Sequence, residues 1–198
     1  MTSLDEELAD LVTESVNPAY ALLDTMSVAE LTEVMNQADA TVAPAVRAAL
    51  PSIAAAIEAA AERMQAGGRL VYVGAGTAGR IGVVDASECP PTFSTPPEQV
   101  FAIMAGGPNA IVNPIEGAED DAEAGAQAVS EAAIGPLDTV VGIASSGRTP
   151  YVIGAIERAR QLGALTVGLS CNTGTRLSAS AELAIEIELG PEVISGST

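Results

Sequence analysis

Five short runs of aliphatic and β-branched residues follow residue 69, and the spacing between them constrains the fold more than any other feature of the chain. The runs cover residues 70–73, 100–104, 139–144, 165–169 and 183–189. The intervening stretches predict helices at residues 80–87, 120–132 and 150–161, and a short helical turn near 178–182. Alternating strands and helices of this kind form a parallel sheet covered by helices.

The composition favours the same class of fold. The chain is 48% apolar and 3% aromatic and has no tryptophan, which is typical of the alanine-, valine- and isoleucine-rich core of a parallel sheet. With 198 residues, one globular domain is expected. We therefore predict an α/β fold, a three-layer sandwich of flavodoxin-like type with a five-stranded parallel sheet.

Residues 1–66 are predicted to be helical and to pack on a domain formed by residues 67–198. Ser27 and Glu30 form a capping box, and residues 44–64 give the strongest helical pattern, which ends at Gly67-Gly68. Pro18, Pro44 and Pro51 punctuate the segment, and the strongest helix is expected to begin at Pro44.

The charge of the chain excludes several kinds of function. The formal net charge is −18, all eight basic residues are arginines, and neither lysine nor histidine occurs. Nucleic acid is therefore not an expected partner. A P-loop lysine, a Schiff base and a histidine base are also excluded. Acid–base chemistry falls to carboxylates or to Tyr20, Tyr72, Tyr151, Cys89 and Cys171.

The two cysteines lie far apart in sequence, in no metal-ligand spacing, and the first residues do not resemble a signal peptide. A cytoplasmic protein with reduced thiols is expected. The sequence contains no uninterrupted apolar run near the roughly 20 residues of a membrane helix, so no membrane association is expected.

A glycine-rich turn, GAGTAGR at residues 74–80, follows the first predicted strand. Its glycines let the backbone turn tightly, so that the amides of a helix start face an anion, and Thr77 and Arg80 favour this interpretation. The spacing also fits a dinucleotide-binding turn, but the second strand ends in Ala105-Gly106-Gly107 where a ribose-binding acid is needed. A turn that serves packing alone remains an alternative.

A second turn of this type, ASSGRTP at residues 144–150, follows the third predicted strand. The hydroxyls of Ser145, Ser146 and Thr149, with the free amides of the next helix, suit a phosphate. Helix capping would explain one hydroxyl rather than three. Both turns are expected at the carboxyl ends of strands, where open α/β sheets bind ligands.

Two groups of acids are candidates for proton transfer. Glu88 is expected just past the end of the first crossover helix, stiffened by Pro90-Pro91, where the helix dipole disfavours a carboxylate. The alternative is an ordinary solvated acid. Of Glu116, Glu119, Asp120 and Asp121, most are explained by the start of the next helix, and Glu119 is the expected exception, a base opposite Glu88.

The motifs GAGTAGR, DASECPPTF, EGAED, ASSGRTPYVIG and GPEVISGST occur in an order that resembles the N-acetylmuramic acid 6-phosphate etherases, whose sugar isomerase (SIS) domain is related to that of glucokinase regulatory protein. The resemblance implies cleavage of N-acetylmuramate 6-phosphate by water to N-acetylglucosamine 6-phosphate and D-lactate. It implies neither a metal nor an organic cofactor. A phosphosugar-binding regulator without catalysis and an aldose–ketose isomerase are the other functions compatible with such a domain.

The resemblance also assigns roles to residues. Glu88 corresponds to the proton donor for the departing lactate oxygen, and Glu119 to the base. Substrate contacts correspond to Thr77, Glu116, Ser145, Ser146, Gly147 and Thr149, with Arg80 and Arg148 in support. Ala78 stands where the family commonly has serine, a change that costs about 1 kcal/mol of phosphate binding if the hydroxyl is a ligand.

Members of this family continue beyond SGST, where this chain ends at Thr198. The final crossover helix and a C-terminal helical region are therefore expected to be missing, which leaves an apolar face of the sheet uncovered. Because SIS domains commonly pair with the active site near the interface, a homodimer is expected.

Overall fold

A computed structural model describes residues 12–15 and 17–194. The first eleven residues of the predicted helical segment and the SGST end of the last motif lie outside this part. The helices are α1 (Val28–Gln65), α2 (Gly76–Phe93), α3 (Ala122–Glu131), α4 (Pro150–Gln161) and α5 (Arg176–Ser180). The strands are β1 (Leu70–Gly74), β2 (Val100–Met104), β3 (Thr139–Ile143), β4 (Leu165–Ser170) and β5 (Leu183–Glu186). Single 3₁₀ turns cover Val12–Glu14, Pro18–Tyr20, Leu23–Thr25 and Pro108–Ile111.

All five strands are parallel and lie in the order β2-β1-β3-β4-β5, which confirms the predicted α/β sandwich. The chain moves outward from β1 to β2 and then crosses back over β1 to β3. Strand order therefore reverses between β1 and β3, and in open α/β sheets a ligand crevice forms at the carboxyl ends of the two strands at such a point.

Helices cover both faces of the sheet. On one face, α3, α4 and α5 enclose the main core, where Val71, Val73 and Val140 of the strands meet Val152 and Ile156 of α4. Each of these five side chains is fully buried, and such burial is the main favourable term in folding.

On the other face, α2 lies over β1 and β2, and the second half of α1 lies over β4 and β5. Ala56 of α1 packs against Val167 and Ile185. The middle of this face is only half-buried, at residues such as Val141 and Ile143.

The N-terminal helix begins as predicted but does not break at its prolines. Ser27 Oγ accepts from the Glu30 amide (3.3 Å), and the Ser27 amide donates to Glu30 Oε2 (2.8 Å). The helix start predicted at Pro44 is wrong, because α1 begins at Val28 and runs through both Pro44 and Pro51. Each proline removes one helical hydrogen bond, and both lie on an exposed part of the helix, where a freed carbonyl can bond to solvent. The domain boundary at residue 66 stays a prediction.

Helix α2 is longer at both ends than the sequence predicts. It begins at Gly76, within the glycine turn, and continues through Pro90 and Pro91 to Phe93, so the predicted loop around Glu88 is wrong. The φ angle of proline is itself helical, and here the two prolines lie in the last turn, where few backbone bonds are lost. Ser94, with a left-handed φ of 57°, ends the helix and donates its amide to the Pro90 carbonyl (2.9 Å).

Two smaller differences have local causes. Strand β5 ends at Glu186 rather than at residue 189, because its neighbour β4 ends at Ser170 and an edge strand has no further partner beyond it. Helix α5 begins at Arg176, two residues early, because Thr175 caps it by accepting from the Ser178 amide (3.1 Å).

Among the described residues, α1 is the one helix long and apolar enough to cross a membrane by length and composition alone. Its most apolar 18-residue stretch has a mean hydropathy of 1.5 and is 11% buried. The helix is rich in alanine, and its second half packs on the sheet. Core helices of water-soluble proteins meet the same criterion, so this observation is weak evidence for a membrane segment.

A bidentate ion pair fastens the amino-terminal edge of the sheet. Asp138 Oδ1 accepts from Arg69 Nε (3.0 Å) and from the Arg69 amide (2.9 Å), while Oδ2 accepts from Arg69 Nη2 (2.6 Å) and the Gly135 amide (2.9 Å). Burial alone would raise the pKa of Asp138, but these donors outweigh it and hold the pKa below its ordinary value. The Arg69 guanidinium also lies over the Phe101 ring, 5.4 Å from its centroid.

Replacing Asp138 by asparagine is expected to lower the free energy of unfolding by about 2 kcal/mol at pH 7, because the amide presents hydrogens to fixed donors. A carboxylate whose pKa is depressed on folding stabilises the fold above its unfolded pKa, and that contribution disappears as the pH falls through the lower folded value. The difference between parent and variant should therefore shrink below about pH 4. Urea unfolding of the parent and the Asp138→Asn variant at pH 7 and pH 3 measures this difference, and Asp39→Asn, at an exposed position, is the control. Equal unfolding free energies of parent and Asp138→Asn at pH 7 would contradict the prediction.

Candidate active site

The two glycine- and hydroxyl-containing turns lie side by side at the reversal of strand order. The turn after β1 leads into α2, and the turn after β3 leads into α4. Gly74, the last residue of β1, pairs in register with Ile143, the last residue of β3. The structure therefore brings together the two turns that the sequence separates by about seventy residues.

Close packing of glycines shapes the turn after β1. A Cβ atom on Gly74 would lie 2.6 Å from the Gly79 Cα, so neither position accommodates a side chain without a shift of backbone. Gly76 adopts a left-handed φ of 53°. Ala75, at the N-cap of α2, provides no side-chain hydrogen bond to the first turn, and Thr77 is exposed there. The first amides of α2 are thus available to an anion.

The Arg80 side chain donates hydrogen bonds to backbone carbonyls of the loop after β2 rather than into the glycine-rich turn. Its Nε donates to the Ile111 carbonyl and its Nη2 to the Ala110 carbonyl, both at 2.9 Å. These bonds fasten the 3₁₀ turn Pro108–Ile111 to the first part of α2. The predicted supporting role of Arg80 is therefore a structural one in this geometry.

The turn after β3 depends on Gly147. This residue has a φ of 69°, and a Cβ atom there would lie 2.4 Å from the Thr175 Cβ. Its amide donates to the Ala144 carbonyl (2.9 Å), and its carbonyl accepts from the Leu177 amide (3.0 Å). The turn is thus closed at one side by the N-terminus of α5.

Helix capping does not account for the hydroxyl groups of the turn after β3. Thr149 occupies the N-cap position of α4 without a side-chain cap bond, and Pro150 follows as the first helical residue. Ser146 Oγ accepts from the Arg148 amide at 3.3 Å, and Ser145 is exposed. This arrangement favours the interpretation as a phosphate site over capping alone.

Asn172 supports the turn from behind and was missed by the sequence reasoning. It is 2% exposed, and its Nδ2 donates to the Ser145 carbonyl (3.2 Å) and to Thr13 Oγ1 (2.9 Å). Its Oδ1 accepts from the Val12 amide (3.0 Å), and the Cys171 amide also donates to the Ser145 carbonyl (2.9 Å). The available signal was a polar residue two positions beyond β4, at the sheet edge that carries both turns.

The loop between β2 and α3 carries its acids to the first turn. A cavity of about 180 Å³ is lined by Gly76, Arg80, Glu116 and Glu119, among others. Both glutamates are exposed, and the Glu119 carbonyl accepts from the Tyr151 amide at the start of α4 (2.9 Å). Asp121 caps α3 by accepting from the Ala124 amide (2.9 Å), as expected for an acid at a helix start.

Glu88 lies away from the cavity that Glu116 and Glu119 line. It is exposed on α2, twelve residues beyond Gly76, which corresponds to about 18 Å along the helix axis. Within one chain, the structure therefore does not bring together the two glutamates that the sequence pairs.

Burial raises the pKa of four of the tyrosine and cysteine alternatives, namely Tyr72, Tyr151, Cys89 and Cys171. Burial, followed by a hydrogen bond of 2.7 Å from its hydroxyl to Asp85 Oδ2, raises the pKa of Tyr72 well above its ordinary value. Carboxylates remain the better candidates for proton transfer near neutral pH. Among the described residues, no three Asp, Glu or Cys side chains are grouped as metal ligands.

The strand order, with two glycine- and hydroxyl-containing turns at its reversal, is that of an α/β domain of the SIS type. The family model described as "Glucokinase regulatory protein N-terminal SIS domain" matches residues 52–160, more than half of the sequence. The chain belongs to this family.

Curated relatives give a narrower match. The chain is 57% identical over 99% of its length to the N-acetylmuramic acid 6-phosphate etherase of Streptomyces avermitilis and 54% identical over 98% to that of Rubrobacter xylanophilus. It spans 63% and 65% of the lengths of these two relatives. The resemblance predicted from the motifs is thereby confirmed.

Solved structures agree on the fold. A phosphoheptose isomerase from Francisella tularensis has a TM-score of 0.62 and 22% identity, over 83% of this chain and 85% of that one. A phosphoheptose isomerase from Neisseria gonorrhoeae has a TM-score of 0.56 and 18% identity, over 79% and 86%. At these identities the likeness establishes the fold alone.

Proposed function

We propose that this chain acts on N-acetylmuramic acid 6-phosphate as the SIS part of an etherase, a carbon–oxygen lyase. Relatives at 54% and 57% identity that carry this name support the proposal. The observation that carries it is that the two glycine- and hydroxyl-containing turns and Glu119 lie at one edge of the sheet, which supports a phosphate site with a base beside it.

The phosphate of the sugar would be held by hydroxyls and backbone amides. Thr77 and the first amides of α2 lie on one side, and Ser145, Ser146 and Thr149 with the amides of α4 lie on the other. Gly147 lets the second turn adopt its left-handed conformation. A net charge of −18 repels anions in general, so these local donors and the helix dipoles must attract the substrate.

The reaction would proceed by elimination and addition on the ring-opened sugar. Glu119 removes the C2 proton, the C2–C3 double bond forms as the C3–O bond breaks, and Glu88 protonates the departing lactate oxygen. Water then adds its hydroxyl to C3 and a proton to C2, which gives N-acetylglucosamine 6-phosphate. Glu116 is a candidate ligand for a sugar hydroxyl. The scheme balances without an oxidant or a cofactor.

Release of D-lactate from N-acetylmuramate 6-phosphate by the purified chain tests this proposal. Replacing Ser146 by alanine is expected to raise KM about tenfold, the effect of one lost hydrogen bond to a charged group. Ser87→Ala, which removes an exposed hydroxyl on α2 that donates to the Val84 carbonyl, should leave KM unchanged. A parent chain that binds neither the substrate nor N-acetylglucosamine 6-phosphate would contradict the proposal.

The family model also favours a second candidate, a phosphosugar-binding regulator without catalysis. It predicts saturable binding of N-acetylglucosamine 6-phosphate without D-lactate release from the etherase substrate. An aldose–ketose isomerase is disfavoured, because isomerisation expels no leaving group that needs a donor such as Glu88. We further propose a cytoplasmic location and a homodimer, in keeping with the phosphosugar metabolism that the relatives' names indicate.

A further inference from the structure

The side chain of Asn172 makes every hydrogen bond that a carboxamide can make. Its Oδ1 accepts from the amides of Val12 (3.0 Å) and Thr13 (3.3 Å), and its Nδ2 donates to Thr13 Oγ1 (2.9 Å) and to the Ser145 carbonyl (3.2 Å). Two donor hydrogens and two acceptor lone pairs are therefore all in use. The partners also fix the orientation of the amide, because a flipped side chain would set its NH₂ group against two backbone N–H groups.

These four bonds connect two parts of the chain that are remote in sequence. Three of them go to the 3₁₀ turn Val12–Glu14, which we call the N-terminal turn, and the fourth goes to the turn after β3. The backbone of Asn172 is held as well, because its carbonyl accepts from the Oγ of the fully buried Ser170 (2.9 Å). Asn172 and Thr13 are both buried, so water competes little for these bonds. The N-terminal turn thus sets the orientation of the group that holds the Ser145 carbonyl.

The bond to the Ser145 carbonyl also directs the next amide along the chain. The Ser145 carbonyl and the Ser146 N–H belong to one planar trans peptide unit and therefore point in opposite directions. Asn172 Nδ2 and the Cys171 amide hold the carbonyl on one side, so the Ser146 N–H is directed to the other. Within the part of the chain that the structure describes, no group accepts a hydrogen bond from this N–H. It is a fixed donor available to an anion.

We propose that Asn172 is a positioning residue for phosphate binding and that, through it, docking of the N-terminal turn and binding of the phosphosugar favour each other. The inference rests on the proposed function of the turn after β3. Without the N-terminal turn, Asn172 loses three of its four partners and no longer holds the Ser145 carbonyl in one direction. The phosphate must then order the turn as it binds, which lowers its affinity. By linkage, a bound phosphate holds the N-terminal turn in place to the same extent.

The affinity for N-acetylglucosamine 6-phosphate, measured by calorimetry, tests the role of Asn172. Asn172→Ala is expected to weaken binding about tenfold, because the Ser146 amide is no longer directed at the ligand. The KM for N-acetylmuramate 6-phosphate should rise by a similar factor while kcat stays within about twofold of the parent value. Ile134→Ala, a buried change between α3 and β3 at the opposite end of the sheet, is the control for a general loss of stability and should leave the affinity unchanged. Parent-like affinity in Asn172→Ala overturns the proposal.

Thr13→Val tests the contribution of the N-terminal turn and is the milder variant if Asn172→Ala does not fold. Valine keeps the shape of threonine but cannot accept from Asn172 Nδ2. The variant is expected to weaken binding about threefold, and to have no further effect in the Asn172→Ala background, where the partner is already absent. Thr25→Val, in another 3₁₀ turn of the segment, is the matched control and should leave the affinity unchanged. Unchanged affinity in Thr13→Val, or effects that multiply in the double variant, overturn the coupling.

Hydrogen exchange tests the reverse direction of the coupling without any need for activity. Saturating N-acetylglucosamine 6-phosphate is expected to slow exchange of the Val12 and Thr13 amides, which donate to Asn172 Oδ1, at least about threefold. In Asn172→Ala the same ligand should leave their exchange unchanged. Exchange in the parent that does not respond to the bound phosphosugar overturns the coupling.

Lactate release separates the failure of this proposal from the failure of the proposed function. Unchanged KM and kcat in Asn172→Ala, with a parent that releases lactate, would overturn the positioning role and leave the etherase supported. A parent that shows the linked binding but releases no lactate would refute the etherase and leave the role of Asn172 supported. A parent that does not bind the phosphosugar would overturn both.

Discussion

The Glu119→Gln variant is expected to release D-lactate at least about 100-fold more slowly than the parent chain, since a positioned general base contributes on the order of 10² to 10⁴ in rate. The amide keeps the size of the side chain but cannot accept a proton. The backbone of Glu119, whose carbonyl accepts from the Tyr151 amide, is unaffected by the change. The expected loss is therefore in kcat, with the affinity for N-acetylglucosamine 6-phosphate unchanged.

Two variants separate this effect from a general loss of acidity in the loop. Glu116→Gln is expected to raise KM more than it lowers kcat, because that side chain is assigned to a sugar hydroxyl. Glu123→Gln, in the first turn of α3, should leave both constants near the parent values. Parent-like kcat in Glu119→Gln would remove this residue from the mechanism.

Gly154→Val is expected to have the largest effect on stability, a loss of at least about 4 kcal/mol in the free energy of unfolding. A Cβ atom at Gly154 would lie 2.1 Å from the carbonyl oxygen of Ala122, on the neighbouring helix α3. At Gly125, the reciprocal position, it would lie 2.0 Å from the Tyr151 carbonyl oxygen. Since the obstacle is backbone on both sides, rotation of a side chain cannot relieve it.

Urea unfolding followed by circular dichroism measures this loss, and expression yield reports it if the variant does not fold. Gly135→Ala is the matched control, because a Cβ atom there meets open space and the backbone does not require a left-handed φ. An unfolding midpoint of Gly154→Val equal to that of the control would show that α3 and α4 separate easily. The close packing of α3 and α4 also positions the Tyr151 amide, which donates to the Glu119 carbonyl. A Gly154→Val variant that still folds should therefore lose activity as well.

The sheet and both turns could be predicted from the sequence because their signals are local. A buried parallel strand is a short aliphatic run, and the turn after it needs glycine or hydroxyl residues wherever the backbone approaches a ligand closely. Residues 70–73 and 139–144 therefore gave the strands nearly to the residue. The adjacency of the two turns followed from the rule for parallel sheets.

The extent of α2 and the position of Glu88 could not be predicted in the same way. Pro90 and Pro91 are local signals for the end of a helix, but in the structure they lie within its last turn. This difference moved Glu88 from a loop near the site to the exposed surface of a helix. The role of Asn172 was hidden for another reason, since its partners Thr13 and Ser145 are remote in sequence.

The contact of Asn172 with the N-terminal segment has a consequence for folding kinetics. Thr13 and Asn172 are separated by 159 residues, so their hydrogen bond forms only after β4 has joined the sheet. Contacts between such distant residues close large loops and slow folding. During synthesis, the Ser145 turn therefore reaches its final geometry only after Asn172 has left the ribosome.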